Sequence, residues 1–182
     1  MKSTQYHPIS KFLHWSVVAL VVMQFINSEF MPEVEDGGVI VPDVFLNTHF
    51  AFGAIILIPA VLLFLMRYLR PVEKAEELTP NLQTTLAVAM HYALYILLVA
   101  VPLSGWMAAS AAGLEVNLFG FYKLPALVAV GSPSGEFLGE AHGFLASTLE
   151  LLAIGHVAAA LWHHFILKDN VLNRMRPFVT VK

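Results

Sequence analysis

Four long apolar stretches constrain the fold of this chain more than any other feature. They cover approximately residues 12–30, 45–69, 86–111 and 137–167 of the 182-residue sequence. The hydrocarbon core of a bilayer is about 30 Å thick, and about 20 apolar residues in a helix are enough to cross it. Each stretch reaches this length or comes close to it. The sequence therefore predicts an all-α membrane protein, with residues 1–182 forming a single domain of four transmembrane helices.

Composition supports this class. Only 13% of the residues are charged, whereas soluble domains carry about 25%. The net charge is −3 and there is no basic block, so we expect no nucleic acid partner. Since the chain has no cysteine, disulfides, iron–sulfur clusters and covalently attached c-type haem are excluded. No small-residue cleavage site follows the first apolar stretch, which we expect to remain as a spanning helix.

Lysine and arginine residues predict the orientation. With four spans, nine of the ten lie on the side of the two termini, and Lys123 lies on the other side. The positive-inside rule then places both termini in the cytoplasm. The connection from about residue 113 to 136 is rich in glycine, proline and aromatic residues. We expect it to form an interfacial segment and not a fifth span.

Four histidines are spaced so that they would pair at two depths in such a bundle. His142 and His156 lie fourteen residues apart in the fourth stretch. This is about four helical turns, which puts them on nearly the same face and about 21 Å apart along the axis. His49 lies near the outer end of the second span and His14 near the inner end of the first. We therefore predict the pairs His49/His142 and His14/His156.

Two imidazoles at each depth favour a haem iron that is ligated on both sides. Such an iron is six-coordinate, has no open position for oxygen and can pass single electrons. We therefore predict two b haems, with the four histidines as the iron ligands. Gly53, Gly143 and Gly155 lie beside the ligands and would leave room for the macrocycle, although close helix packing explains glycines in membranes equally well. One buried histidine alone would be better explained by packing or by a proton path.

Three further residues lie toward the expected inner haem. His91 lies near the inner end of the third span, and His163 follows His156 by seven residues, about two turns, on nearly the same face. Quinone reduction needs protons, which histidine can supply near neutral pH. Both are therefore candidates for contact with quinone or with a haem propionate. Arg67 is a candidate for a propionate contact. For each of these three residues the alternative is that the side chain lies among the lipid headgroups and contacts neither haem nor quinone.

Four motifs occur in a characteristic order. They are SKFLHW at residues 10–15, NTHFAFG at 47–53, MHYALYILLVAVPLSGW at 90–106 and GHVAAALWHHFILKDNVLNRMRP at 155–177. With them the chain resembles, over essentially its entire length, the bacterial cytochrome b561 family of small four-helix dihaem proteins. The resemblance implies that His14, His49, His142 and His156 are the haem ligands, and that the protein lies in the bacterial inner membrane.

Within that family the C-terminal motif is most similar to the superoxide oxidase subgroup. The resemblance implies transfer of an electron from periplasmic superoxide through two b haems to ubiquinone. Two features depart from this pattern. Leu63, fourteen residues after His49, stands where the family has an arginine, and Arg67 follows one turn later. Lys123 is the single outer cation, although steering an anion requires a local positive field. The outer residues around it include Glu115, Glu136 and Glu140.

These observations leave three functions open. The first is an oxidoreductase that carries electrons between a periplasmic donor, either superoxide or a redox partner, and ubiquinone near the inner haem. The second is a cytochrome b anchor subunit that passes electrons between a dehydrogenase or hydrogenase and the quinone pool. The third is a transporter that uses buried histidines for protons. Glu150 is the one carboxylate well inside a span, and the scarcity of such groups disfavours transport.

Overall fold

The structure, a computed structural model, describes residues 6–31, 43–69 and 82–176. Within these ranges four helices are long and apolar enough to cross a membrane. They are α1 (Pro8–Ser28), α2 (Val44–Leu69), α3 (Leu82–Ala111) and α4 (Gly135–Trp162). The predicted four-helix fold class is thus confirmed. Four cations used in the orientation argument lie outside the described residues: Lys2, Arg70, Lys74 and Lys182.

Local sequence explains where these helices begin and end. Pro8 is the first residue of α1. A backbone N–H at this position would have no partner within the helix, so the helix loses no hydrogen bond because proline lacks one. Asp43 caps α2, because its Oδ1 accepts the backbone N–H of Leu46 at 2.8 Å. After α4 the chain makes one π-helical turn, His163–Leu167, which ends where Lys168 adopts a left-handed conformation with φ of 53°. A short helix, α5 (Val171–Met175), follows.

Helices that follow one another in sequence pack on one another, so that α1 contacts α2, α2 contacts α3 and α3 contacts α4. The centre is filled by apolar side chains from all four helices: Leu13, Val17, Ile56, Ala60, Leu63, Leu97, Leu98 and Leu149. Leu63, which replaces the arginine expected from the resemblance, is one of these buried residues. Within the described ranges, α4 has no comparable packing against α1 or α2. The bundle is therefore more open along this side.

Large apolar side chains also cover the outside of the helices. Ile58 is 64% exposed and Leu151 is 70% exposed. Such a surface is unfavourable in water but is expected where lipid tails surround a helix, since the backbone polar groups are already bonded within it. The protein is accordingly a multi-pass membrane protein.

The connection between α3 and α4 forms a short antiparallel hairpin of β1 (Asn117–Leu118) and β2 (Tyr122–Lys123). Gly120, with φ of 80°, makes the turn between the strands. The segment contains no helix that could span a membrane. We call this end of the bundle the hairpin end. The opposite end, where α1 begins and α4 finishes, is the terminal end. There the Trp15 indole N–H donates to the backbone oxygen of Met175 at 3.0 Å, tying α5 to α1.

Candidate haem sites

The structure brings the four histidines proposed as ligands together in two pairs. The ring centroids of His49 and His142 are 6.1 Å apart at the hairpin end. Those of His14 and His156 are 6.4 Å apart at the terminal end. Each pair joins α4 to the half of the bundle formed by α1 and α2, across the side where α4 is less closely packed.

These separations fit an iron atom held between two rings. A metal–imidazole bond is about 2.0 Å long and the nitrogen lies about 1.1 Å from the ring centroid, so opposed ligands have centroids about 6 Å apart. No group of three or more histidine or acidic residues suited to a bare metal ion occurs in the described residues. A pair of ligands suits a metal that arrives with a macrocycle, since the macrocycle supplies the remaining bonds. The residues therefore fit a bis-histidine haem at each end.

His142 is oriented by the backbone of α3. Its Nδ1 lies 2.9 Å from the Val101 carbonyl oxygen and 3.4 Å from the Ser104 hydroxyl oxygen. Because a carbonyl oxygen can only accept, Nδ1 carries the proton and Nε2 keeps its lone pair for a metal. Sequence reasoning gave no role to Ser104. The available signal is that Ser104 is a polar residue two positions after Pro102, in the most apolar part of α3.

Gly105 allows His142 to approach α3 this closely. A Cβ at Gly105 would lie 2.8 Å from Cε1 and 2.9 Å from Nδ1 of the imidazole. These distances are shorter than normal van der Waals contact, so a larger residue would displace the ring. Gly105 is thus the glycine most directly connected to a proposed ligand, although the sequence analysis selected other glycines.

The three glycines selected from the sequence have different surroundings. A Cβ at Gly53 would lie 2.9 Å from the Gln24 side-chain nitrogen, whereas one at Gly155 would lie 3.7 Å from the methyl carbon of Met90. At Gly143 there is no atom within 4 Å among those described. Gly53 therefore allows α1 and α2 to pack closely. Close helix packing is the explanation given above as the alternative to making room for a haem.

The terminal end has a third imidazole beside the pair. The ring of His91 lies edge-on to His156, with centroids 5.2 Å apart. The His91 Nδ1 lies 2.5 Å from the carbonyl oxygen of Ala87, one turn earlier in α3, so Nδ1 is the donor. The His14 ring packs edge-on against Trp15 at 5.5 Å. Its Nδ1 is buried and has no partner among the described residues.

His163 forms a hydrogen-bonded pair with Asp169. The His163 Nδ1 lies 2.5 Å from Oδ2 of Asp169, and the other carboxylate oxygen accepts the backbone N–H of Val171 at 3.0 Å. The Nε2 of His163 lies 3.2 Å from the side-chain nitrogen of Gln83 on α3. Since the carboxylate is ionised, Nδ1 is its donor and Nε2 accepts from the Gln83 amide. Sequence reasoning selected His163 but neither Gln83 nor Asp169.

The pKa of Asp169 is lowered by this arrangement. Partial desolvation acts to raise the pKa of the carboxyl group, but the hydrogen bonds from the His163 ring and the Val171 N–H act in the opposite direction, together with the electrostatic effect of the His163 ring. The net effect is a pKa below the ordinary value. Asp169 therefore remains an acceptor near neutral pH, and its contact with His163 persists there.

The remaining candidate residues are more exposed. Arg67 lies in the last turn of α2 and is exposed to solvent or lipid headgroups. Glu150 lies on an exposed part of α4. Lys123 forms an ion pair with Glu115, and both side chains are largely exposed. Lys123, the cation that the sequence predicts on the outer side, is therefore already partnered.

Comparison with known proteins agrees with these features. A sequence model described as prokaryotic cytochrome b561 matches residues 5–178. Cytochrome b561 homolog 2 of Escherichia coli (strain K12) is 33% identical over 70% of this chain and 68% of its own length. Cytochrome b561 homolog 1 of the same organism is 36% identical over 54% of this chain and 55% of its own. The Probable superoxide oxidase CybB of Yersinia pestis is 27% identical over 91% of this chain and 92% of its own. The chain therefore belongs to the prokaryotic cytochrome b561 family, which carries out membrane electron transport and implies b-type haem.

Proposed function

We propose that this protein is a dihaem b cytochrome that carries single electrons across the bacterial inner membrane, between a periplasmic donor and ubiquinone. The observation that carries the proposal is the presence of two imidazole pairs, with centroids 6.1 Å and 6.4 Å apart, at opposite ends of one bundle. His49 and His142 would hold one haem, and His14 and His156 the other. A bound haem supplies reversible one-electron chemistry. The two histidines of each pair would together hold the haem iron and would leave it no position for oxygen.

The backbone of α3 keeps one of the proposed ligands in the form that a metal needs. At the hairpin end the Val101 carbonyl holds the proton of His142 on Nδ1, which leaves Nε2 free. Apolar residues between the two ends, including Val17, Leu97 and Leu149, are buried and exclude water. A dry and fixed environment favours electron transfer, because little reorganisation accompanies the change in charge.

The quinone site is proposed at the terminal end, where both His91 and His163 lie. Reducing ubiquinone to ubiquinol requires two electrons and two protons. His163 is proposed to exchange a proton at Nε2, where the proton takes the place of the hydrogen bond from Gln83, since Asp169 holds its Nδ1 and the side chain is 22% exposed. His91, in ring contact with His156, is proposed to contact the quinone or a haem propionate. Arg67, at the same end of α2, is proposed to contact a haem propionate.

Superoxide is proposed as the donor because of the similarity to a probable superoxide oxidase over most of both chains. A second candidate is an anchor subunit that passes electrons between a partner dehydrogenase or hydrogenase and the quinone pool. The hairpin end favours this second candidate in two respects. Its one cation is paired with Glu115, which weakens attraction of an anion. It also exposes Phe121, at 92%, and Tyr122, at 60%, as protein interfaces commonly do.

The two candidates differ in the source of electrons. The purified, air-oxidised protein is mixed with enzymatically generated superoxide or with a short-chain ubiquinol, and the α-band of the reduced haems is followed. We expect both donors to reduce the haems, with superoxide dismutase abolishing reduction by superoxide alone. Reduction by ubiquinol but not by superoxide would support the anchor subunit. If neither donor reduces the haems, the proposed function is wrong.

A further inference from the structure

Gln24 is a polar side chain in the part of α1 nearest the hairpin end, just after a run of apolar residues. It lies on α1 between Met23 and Phe25 and points into the contact with α2. A side-chain amide in a membrane helix is retained where a neighbouring helix offers it a partner. Its side-chain nitrogen donates to the backbone oxygen of His49 at 3.0 Å. The residue that it contacts is one of the proposed haem ligands.

Gly53 leaves the space that the Gln24 side chain occupies in this contact. It lies one turn after His49, and a Cβ there would come within 2.9 Å of the Gln24 nitrogen. The backbone oxygen of His49 also faces the N–H of Gly53 in the normal helical pattern. A carbonyl oxygen has two lone pairs, so the Gln24 amide provides a second donor without disturbing the helix. The pair of Gln24 and Gly53 thus ties α1 to the turn of α2 that carries His49.

One buried atom of Gln24 and one of His49 lack hydrogen-bond partners, and the first is an acceptor while the second can be a donor. The amide oxygen of Gln24 and the Nδ1 of His49 are both buried, and neither has a partner in the described part of the chain. A histidine that ligates a metal through Nε2 carries a proton on Nδ1, and that proton is almost always donated to an acceptor. His142 already has its acceptor in the Val101 carbonyl. His49 has no acceptor for Nδ1 among the described residues. The Gln24 side chain, which already donates to the His49 backbone, carries an amide oxygen that also lacks a partner there.

We propose that Gln24 is a positioning residue for the hairpin-end haem. Its amide nitrogen holds the main chain of His49, and its amide oxygen accepts the Nδ1 proton of His49 when Nε2 ligates the iron. The proposal rests on the proposed function, since it requires a haem at His49 and His142. It also gives the hairpin-end site two neutral acceptors, one for each ligand.

An acceptor at Nδ1 makes an imidazole a stronger donor to the metal and so stabilises the oxidised iron. Replacing Gln24 with leucine should therefore raise the reduction potential of the hairpin-end haem. We expect the equilibrium between its oxidised and reduced forms to change about tenfold, which corresponds to about 59 mV for one electron. The measurement is a redox titration of the full-length protein followed at the haem α-band. The His156→Ala background, which should retain only the hairpin-end haem, identifies the haem that changes.

Three further variants separate positioning from packing. Gln24→Glu keeps an acceptor oxygen, so its potential should not rise. Gly53→Ala should displace the flexible end of Gln24 and raise the potential, with no further rise in the double variant with Gln24→Leu. Asn27→Leu is the matched control, because Asn27 is another buried amide on α1 and should leave the potential unchanged.

Specific outcomes would overturn the proposal. An unchanged potential in Gln24→Leu, an equal rise in Gln24→Glu, or an equal rise in Asn27→Leu would each contradict it. If Gln24→Leu binds no hairpin-end haem, Gln24→Glu and Gly53→Ala still decide the question by the same measurement. A wild-type protein without haem at His49 and His142 would instead show that the proposed function is wrong.

Discussion

The two histidine pairs have similar ring separations but different surroundings. At the hairpin end, His142 is fixed by the Val101 carbonyl and fits against Gly105. At the terminal end, His156 has a further imidazole, His91, in ring contact. The hydrogen-bonded pair of His163 and Asp169 lies at the same end. The hairpin-end pair is thus held by a backbone carbonyl and a glycine contact, whereas the terminal end carries a further imidazole and an imidazole–carboxylate pair.

This difference suits two different tasks. Neutral and rigid partners keep a redox site constant while electrons pass, which is what the entry of single electrons requires. Reduction of a quinone also needs protons, and histidines near a membrane boundary can deliver them. We therefore interpret the hairpin end as the site of electron exchange with the donor and the terminal end as the site of proton-coupled chemistry.

The largest expected effect comes from removing one ligand from each site. His142→Ala and His156→Ala should each reduce the haem content from two per chain to one, because a ring lost from either pair leaves one axial position empty. Spectra at controlled potential should then show a different remaining haem in each variant. Identical residual spectra, or undiminished haem content in both variants, would contradict the assignment of separate sites.

Adding one methyl group at Gly105 should affect only the hairpin-end haem site. Gly105→Ala places a Cβ 2.8 Å from the His142 ring, whereas Gly155→Ala, beside His156, places one 3.7 Å from the flexible end of Met90. We expect Gly105→Ala to lose at least half of the hairpin-end haem and Gly155→Ala to retain both haems. Haem content per chain after purification is the measurement. Equal retention in the two variants would show that the close approach at Gly105 is not required.

These two glycines illustrate what the sequence could and could not predict. Helical periodicity and membrane thickness predict the four spans and put His142 and His156 at two depths, because both depend only on spacing along the chain. The role of Gly105 depends on how α3 faces α4, and no periodicity in one helix contains that information. Gly155 is adjacent to a proposed ligand in the sequence, which therefore indicates it as a glycine that leaves room for the haem. The sequence gives no such indication for Gly105.

The same limit applies at the terminal end. His163 could be selected because it shares a face with His156, but its partner Asp169 lies beyond a π-helical turn that breaks the regular spacing. Gln83 comes from a different helix, eighty residues earlier. Leu63, by contrast, could be identified from the sequence as a departure from the family, and its burial shows that an apolar residue fits there.

The Asp169 contact should affect quinone chemistry but not haem binding. In Asp169→Asn the acceptor for Nδ1 of His163 loses its charge, and we expect reduction of the haems by ubiquinol to slow about tenfold. Reduction by dithionite and the haem content should be unchanged. Asn170→Ala, at the next position, is the control and should behave as wild type. A normal rate with ubiquinol in Asp169→Asn would argue against a role of His163 in proton transfer.

The dependence of this contact on pH has a defined sign. The pKa of Asp169 is held below its ordinary value, which is about 3.9. The stabilisation from the ionised carboxylate is therefore fully present above about pH 4 and is lost as the pH falls through the lowered pKa. Asp169 should therefore stay ionised from about pH 5 to 8, and its own titration should cause no change in ubiquinol-linked rates within this range. A transition that Asp169→Asn abolishes within this range would contradict that assignment.

The smallest expected effect concerns the ion pair at the hairpin end. Both side chains are largely exposed, at 59% for Lys123 and 61% for Glu115, so Glu115→Gln should leave the thermal stability nearly unchanged. It frees the Lys123 charge, which should increase superoxide-driven haem reduction about twofold at low salt, with the gain disappearing as salt screens it. Stopped-flow measurements at two ionic strengths test this. A slower reaction in Glu115→Gln would show that the local field does not guide the donor.

The central claim is that four histidines hold two haems in one bundle. The most direct measurement is the haem content of the purified wild-type chain, determined as the pyridine complex and expressed per polypeptide, together with its oxidised and reduced spectra. We predict two b haems per chain, both six-coordinate and low-spin. A colourless protein, or one haem that persists when either His142 or His156 is replaced, would contradict the account.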